Sequence, residues 1–314
     1  MQYLSKNVRS IYSRLGTRNS TTHALVSKIT WRIKLTFDAQ NPLTPQTIHI
    51  DPTKLSGFEW NEETHLLAEN LSDCKFFEHL VSFYKRKHNI RFSTCWYPLQ
   101  GGGDTIASVY DYEIELKQHL CLAVLDSDKK YPDCGVGDTA KKLKVCHHKK
   151  KPIHCMHYVM ENVREVENLI PFSALRTLDD LSSYQVFTEL SDLDYSYFDM
   201  KKGLETYKTN SEVKNYWSRL LVPHKRLKEC YNQCFSCATT SIPKPKSQDC
   251  LEVCGRKCII EGFGSRILDK ALNDLHSVLA DVKSSDLTPG QLAEWEAIGG
   301  IVFEWCCSPI KLRV

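Results

Sequence analysis

An apolar run that stops on two acids, Leu120-Cys-Leu-Ala-Val-Leu-Asp126-Ser-Asp128, constrains the fold of this chain more than any other stretch. Leu and Val in a short unbroken run predict a strand buried on both faces, as in a mainly parallel sheet covered by helices. Side chains alternate along a strand, so Asp126 and Asp128 are expected on one face at its carboxyl end. Open α/β sheets place their ligands at those ends. Two carboxylates there suit a hard divalent cation such as Mg²⁺.

Two further segments supply acids. Thr64-His-Leu-Leu-Ala68 reads as a second short strand and ends in Glu69. Ser72 to Tyr84 then carries apolar residues at helical spacing, with Ser72 as the expected N-cap. Downstream, Glu161-Asn-Val-Arg-Glu165-Val-Glu167-Asn168-Leu-Ile-Pro171 is a short acid-rich helical segment stopped by proline. Glu69, Asp126, Asp128 and Glu165 or Glu167 would form one acidic cluster drawn from three segments. The plain alternative is a set of solvated acids at strand ends and helix starts.

In order, these pieces resemble a TOPRIM domain, and most closely the TOPRIM nucleases of the overcoming-lysogenization-defect type and related phage-defence effectors. The matching residues are Leu67-Ala-Glu69-Asn-Leu-Ser-Asp73, Gly101-Gly-Gly103, Leu125-Asp126-Ser-Asp128 and Arg164-Glu165-Val-Glu167-Asn168. Tyr197-Phe-Asp199-Met-Lys201-Lys-Gly203 resembles the lysine-bearing segment that often follows. The likeness runs from residue 60 to residue 205. It departs at Asn70, where the family usually has Gly; Asn is among the residues that tolerate a left-handed turn.

The resemblance implies a TOPRIM-like, mainly parallel sheet flanked by helices. It implies a catalytic set of Glu69, Asp73, Asp126, Asp128, Glu165, Glu167 and Lys201. Glu69, Asp126, Asp128 and Glu167 would hold one or two Mg²⁺ or Mn²⁺ ions. The reaction would be phosphodiester cleavage of DNA or RNA, with Glu69 as ligand or general base and Lys201 or Lys202 balancing phosphate charge. The alternative is a non-catalytic, zinc-stabilised TOPRIM-like module that binds nucleic acid or protein. Family members often carry an ATPase in the same chain, but no G-x-x-x-x-G-K-[ST] loop occurs here. A separate ATPase or sensor protein is therefore an expected partner, and a homodimer and a cytoplasmic bacterial setting follow from the same likeness. A topoisomerase would need a strand-passage apparatus with a catalytic Tyr, for which the chain has little room.

A basic run lies between the Asp pair and the Glu pair: Lys141, Lys142, Lys144, Lys149, Lys150 and Lys151. It reads either as a solvated loop or as a track for a nucleic-acid backbone. Net charge is only +3, so affinity for nucleic acid has to come from such a local patch. Cys146, His147, His148, His154, Cys155 and His157 lie close by, at a spacing that fits no standard zinc pattern.

Cysteine is the second unusual signal, with 14 in the chain. Six fall in two triplets, Cys230, Cys234, Cys237 and Cys250, Cys254, Cys258, separated by the reversal Ser241-Ile-Pro-Lys-Pro-Lys-Ser247. Spacings of three and four put each triplet on one helix face, and folding at the reversal brings the triplets opposite one another. Cys230, Cys234, Cys254 and Cys258 could hold a structural Zn²⁺. The alternatives are disulfides, which a reducing cytosol opposes, and thiols packed as small apolar groups. Cys306 and Cys307, near the C-terminus, are the candidates to complete such a site.

Residues 1–37 lack Asp and Glu but carry several Arg, a composition shared by transit peptides and by basic arms. Lys28 to Phe37 alternates and predicts a strand, with a hairpin into a second strand within Asn41–Leu55. Near the C-terminus, Ser265 to Asp281 repeats apolar residues at helical spacing, and Thr288-Pro289 starts a last helix through Trp295. No apolar run reaches 18 residues, so no membrane span is expected. The expected organisation is an N-terminal basic arm and β-hairpin over 1–58, a TOPRIM-like catalytic domain over 59–205, and a helical Cys-rich region over 206–314.

Overall fold

The computed structural model describes residues 32–35, 43–44, 47–50, 62–178, 191–205, 211–220 and 258–308. The chain divides into two compact units, residues 1–58 and 59–314. In the first, β1 (Arg32–Leu35) lies parallel to β3 (Thr47–Ile50), and β2 (Leu43–Thr44) pairs antiparallel with β3. This corrects the expected hairpin. A tight turn joins only antiparallel strands, and β2 supplies the reversal that leaves β1 and β3 running the same way. The acid-free segment before β1 lies outside the described residues.

The second unit opens with β4 (Thr64–Ala68), α1 (Leu71–Lys87), β5 (Ser93–Thr94) and β6 (Trp96–Gln100). It continues with α2 (Ile106–Leu116), β7 (Cys121–Leu125), α3 (Asp138–Lys150) and β8 (Cys155–Val159). Strands β6, β4, β7 and β8 form one all-parallel sheet in that order. All five residues of β7 are buried, as its unbroken apolar sequence demands. Leu67, Cys121, Ala123 and Leu125 pack with Ile106, Tyr110 and Ile114 of α2 and Ala140 and Leu143 of α3. Alternation turns Leu66, Leu122 and Val124 to the opposite face, where α1 touches β4 and the C-terminal helix touches β7.

The chain moves outward from β4 to β6, then crosses back to β7 and on to β8. That reversal makes a switch point between the carboxyl ends of β4 and β7, the crevice where open α/β sheets bind ligands. Glu69 follows β4 and Asp126 follows β7, so both acids stand at its mouth.

Beyond the sheet come α4 (Phe172–Leu175), α5 (Asp192–Tyr197), β9 (Gly203–Glu205) and α6 (Ser211–Leu220). Then follow β10 (Cys258–Glu261), α7 (Ile267–Asp274), α8 (His276–Ala280), α9 (Pro289–Cys306) and β11 (Cys307–Ser308). The single helix read over 265–281 is broken at Leu275 (φ −112°, ψ 14°), whose side chain is buried there. Helix α9 extends well past Trp295. Thr288 caps it by accepting from the Gln291 N–H at 3.2 Å, and Gln291 returns a bond to the Thr288 N–H at 3.1 Å.

Helix α9 lies along α1, with Trp295 edge-on to Phe76 and Phe83. Gly299 is the point of closest approach: a Cβ there would lie 2.6 Å from the Leu80 carbonyl oxygen and 2.8 Å from Tyr84 Cβ. Gly299→Ala gains about 1 kcal/mol of helix propensity, but overpacking against backbone costs about 1–3 kcal/mol. A lowered urea midpoint is therefore expected; an unchanged or raised midpoint would contradict this packing.

Candidate metal centre

Five acids of the sequence reading converge at the switch point. Glu69 follows β4 beside the turn Gly101–Gly103 that follows the neighbouring β6; there the Gly101 N–H donates to the Ala68 carbonyl (2.7 Å) and the Gly102 N–H to the Glu69 carbonyl (2.9 Å). Gly102 and Gly103 have φ of 64° and 40°, and a Cβ on Gly103 would stand 3.7 Å from Glu69 Oε1. The turn thus folds directly over the acid.

Helix α1 begins two residues earlier than read. Its N-cap is Asn70, in extended conformation (φ −129°, ψ 159°), not Ser72 and not a left-handed residue. Asp73, at the third helical position, accepts the Asn70 N–H at 2.8 Å. Capping at Asn70 therefore turns the buried Asp73 carboxylate back toward Glu69.

Asp126 Oδ1 accepts the Val166 N–H at 3.0 Å. One ligand atom each from Asp126, Glu165 and Glu167 lies within 4.8 Å of the others, the only such group of His, Cys, Asp or Glu among the described residues. Glu165 and Glu167 flank the start of a 3₁₀ turn, Val166–Leu169, rather than an α-helix. Asn168 braces that turn: its Nδ2 donates to the Tyr195 and Phe198 carbonyls (2.7 and 2.9 Å), and its Oδ1 accepts the Glu165 N–H (3.1 Å).

Asp128 does not join the trio. The strand ends at Leu125, and Asp128 adopts φ 54°, so face alternation no longer applies. Its side chain is exposed and lies against Gly137, where a Cβ would come within 2.6 Å of it. Asp128 stays near enough to act electrostatically on Glu69, as do Glu167 and Asp104. The acids form an inner trio and an outer group around Glu69, with Glu167 between them.

Lys201 supplies the cluster's ammonium. Its Nζ lies 3.0 Å from Glu167 Oε1 and 3.4 Å from Glu165 Oε2. The segment carrying it is pinned by Arg164 to Asp199 (2.6 Å), by the Lys202 N–H to Asp199 (2.8 Å) and by the Met200 N–H to Glu165 (3.0 Å).

Negative charge exceeds positive charge here, and the acids register it. Burial, then the charges of Glu167, Asp73, Glu165 and Glu69, raise the pKa of Asp126 well above the carboxylate range. Burial and then Glu167 lift Glu165 to about 7, against the pull of Lys201 and Arg164. Burial lifts Asp73 to about 7, opposed by the Asn70 N–H. Glu69 is raised by burial and by Asp128, while Lys201 pulls it down. Desolvation disfavours the charged Lys201, but Glu165, Glu167 and Asp126 outweigh it and raise its pKa. The donor set is all carboxylate oxygen with a charge deficit, which fits Mg²⁺ or Mn²⁺ rather than a softer metal.

The sign of the pH dependence follows. Asp73 and Glu165 have raised folded pKa values, so their contribution to stability is full below about pH 4 and is lost as pH rises through about 7. His79, His157 and Cys155 also titrate abnormally, with pKa values lowered to about 4, 4 and 7, but none belongs to the trio. The difference in melting temperature with and without Mn²⁺ isolates the acids. That difference is expected to be small at pH 5.5 and to grow up to pH 8, as protons stop competing. A metal response independent of pH would contradict it.

The remaining sequence candidates are not brought together. The basic run is helix α3, not a loop, because Ala140 and Leu143 bury one face against the core. Its lysines stand beside acids: Lys141 by Asp138, Lys142 by Asp104, Lys144 by Glu161, and Lys150 by Asp111 and Glu115. Cys146 Sγ donates to Asp111, His147 Nδ1 meets the Tyr110 hydroxyl, and His154 Nε2 meets the Glu113 carbonyl. These side chains are occupied separately. Cys230, Cys234 and Cys254 lie outside the described residues. Cys258 starts strand β10, so the helical face assumed for the second triplet does not extend to it.

Sequence reasoning missed Gln291, Glu294 and Trp295 of α9, which hold the acid-bearing loop from behind. The one signal is Gln291 and three glutamates set among the apolar residues of the helix, which does not say what they bond. No family model, curated protein or solved structure matches the chain.

Proposed function

We propose that the chain is a metal-dependent nuclease of TOPRIM type, hydrolysing phosphodiester bonds of DNA or RNA. The observation that carries this reading is the assembly of Asp73, Asp126, Glu165 and Glu167 around one lysine at the sheet's switch point. When bound, a divalent cation there supplies a Lewis acid for phosphoryl oxygens and lowers the pKa of water. Asp126, Glu165 and Glu167 would hold it, with Glu69 and Asp128 available for a second ion. Glu69, at the solvent rim and with a raised pKa, is placed to take a proton from the attacking water. Lys201 offsets the charge of the scissile phosphate.

A role as an antiphage effector in the bacterial cytoplasm, triggered by a separate ATPase or sensor and acting as a homodimer, belongs to the same reading. No helix among the described residues is long and apolar enough to cross a membrane. A non-catalytic binding module is the second reading. It is favoured by the acids beside the α3 lysines, which lower the positive potential a nucleic-acid backbone would meet.

The test is cleavage of mixed DNA and RNA with Mg²⁺ or Mn²⁺ by wild type, Glu69→Ala and Asp126→Ala. Metal-dependent cutting lost in both variants supports the nuclease. If purified wild type cuts nothing, toxicity in cells that depends on Glu69 separates a gated enzyme from a binding module.

A further inference from the structure

We infer that α9 sets the spacing of the candidate cation ligands, with Gln291, Glu294 and Trp295 as positioning residues that fix Glu165 and Glu167 against Asp126; this rests on the cation reading above. The three share one helix face at i, i+3 and i+4. Gln291 Nε2 donates to the carbonyls of Asn168 and Ile170, both at 2.8 Å. Trp295 Nε1 donates to the Leu169 carbonyl at 2.9 Å. The last carbonyls of a short 3₁₀ turn have no partner of their own, and here three consecutive ones are taken by α9 side chains. Glu294, 0 % exposed, accepts from the Tyr158 hydroxyl at 2.7 Å and from Asn162 N and Nδ2 at 2.8 and 2.9 Å. It thereby fixes the chain between β8 and Glu165.

The acid-bearing loop is thus held at both ends by one helix that carries none of the acids. Its own regular structure is a single four-residue turn, too little to hold three like-charged carboxylates within 4.8 Å. Mutual repulsion drives Glu165, Glu167 and Asp126 apart, and the bonds from α9 oppose that motion. Groups that orient ligands in this way change metal affinity by about 10–100-fold.

The experiment measures Mn²⁺ binding to the full chain by electron paramagnetic resonance, alongside thermal melts in EDTA. Gln291→Leu removes the donor to the Asn168 carbonyl and leaves the Ile170 carbonyl only the Tyr195 hydroxyl at 3.0 Å, and is expected to weaken Mn²⁺ binding by about 10–100-fold. Trp295→Phe, a smaller change that removes only the Leu169 bond, weakens it in the same direction and carries the test if Gln291→Leu does not fold. Gly299→Ala is the control: it strains the packing of the same helix against α1, two turns beyond Gln291 and without touching the loop, so the melt falls while the affinity holds. Wild-type affinity in both Gln291→Leu and Trp295→Phe, whatever their melts, overturns the inference. Absence of binding by wild type itself overturns it in a different way, by removing the cation reading on which it rests. Asp126→Asn marks the level of non-specific binding.

Discussion

Lys201→Met is expected to destabilise the metal-free protein by about 2–3 kcal/mol at pH 8, near the low end for breaking a buried ion pair. The low end applies because the Lys201 side chain is 28 % exposed and part of its interaction is screened. The loss comes from the acids left behind: Glu165 and Glu167 are almost wholly buried and lose the ammonium that faced them. Two conditions should restore stability. At pH 5.5 Glu165, with its pKa near 7, is mostly protonated and needs no counter-charge. At pH 8 saturating Mn²⁺ replaces the missing charge. Denaturant titrations at both pH values check this, and an equal loss at each would rule out the electrostatic account.

Asp126→Asn should move stability the other way. The amide keeps an acceptor for the Val166 N–H but removes one acid from a cluster that holds more negative charge than Lys201 balances. Above the ordinary carboxylate pKa the unfolded state gains by ionising this acid and the folded state does not, so a neutral isostere stabilises by on the order of 1 kcal/mol or more near neutral pH. The same change removes a ligand from the trio. Mn²⁺ should then no longer raise the melting temperature, and any metal-dependent cleavage should fall by more than about a hundredfold. A variant more stable without metal and unresponsive to it separates function from folding at this position. A destabilised variant would show that Asp126 serves the fold instead.

Two of the sheet's four strands, β4 and β7, were readable because their signals are local. Every residue of Cys121–Leu125 is buried, and the unbroken apolar run says so without knowledge of any neighbour. The acids at the ends of β4 and β7 follow from the same patterns. Asp128 was misplaced because alternation holds only while the chain stays extended, and nothing in the sequence marks its left-handed φ of 54°. The N-cap lay in plain view: Asn70 with Asp73 three residues on is a capping pair, as legible as Ser72. Helix α3 was obscured because only Ala140 and Leu143 turn inward among many lysines. The partners of Gln291, Glu294 and Trp295 in α9 could not be read from the sequence. Gln291 and Trp295 bond to backbone carbonyls, and a carbonyl has no sequence signature.

The order of these parts along the chain has a consequence for synthesis. Gln291 anchors a carbonyl 123 residues before it. At ribosomal rates of about 5–20 residues per second, the loop bearing Glu165 and Glu167 waits roughly 6–25 s for the helix that fixes it. During that interval water, not α9, solvates the loop's carbonyls, and the sheet can form while the acids remain unassembled. The nascent polypeptide therefore carries every acid of the centre before it has the geometry to use them.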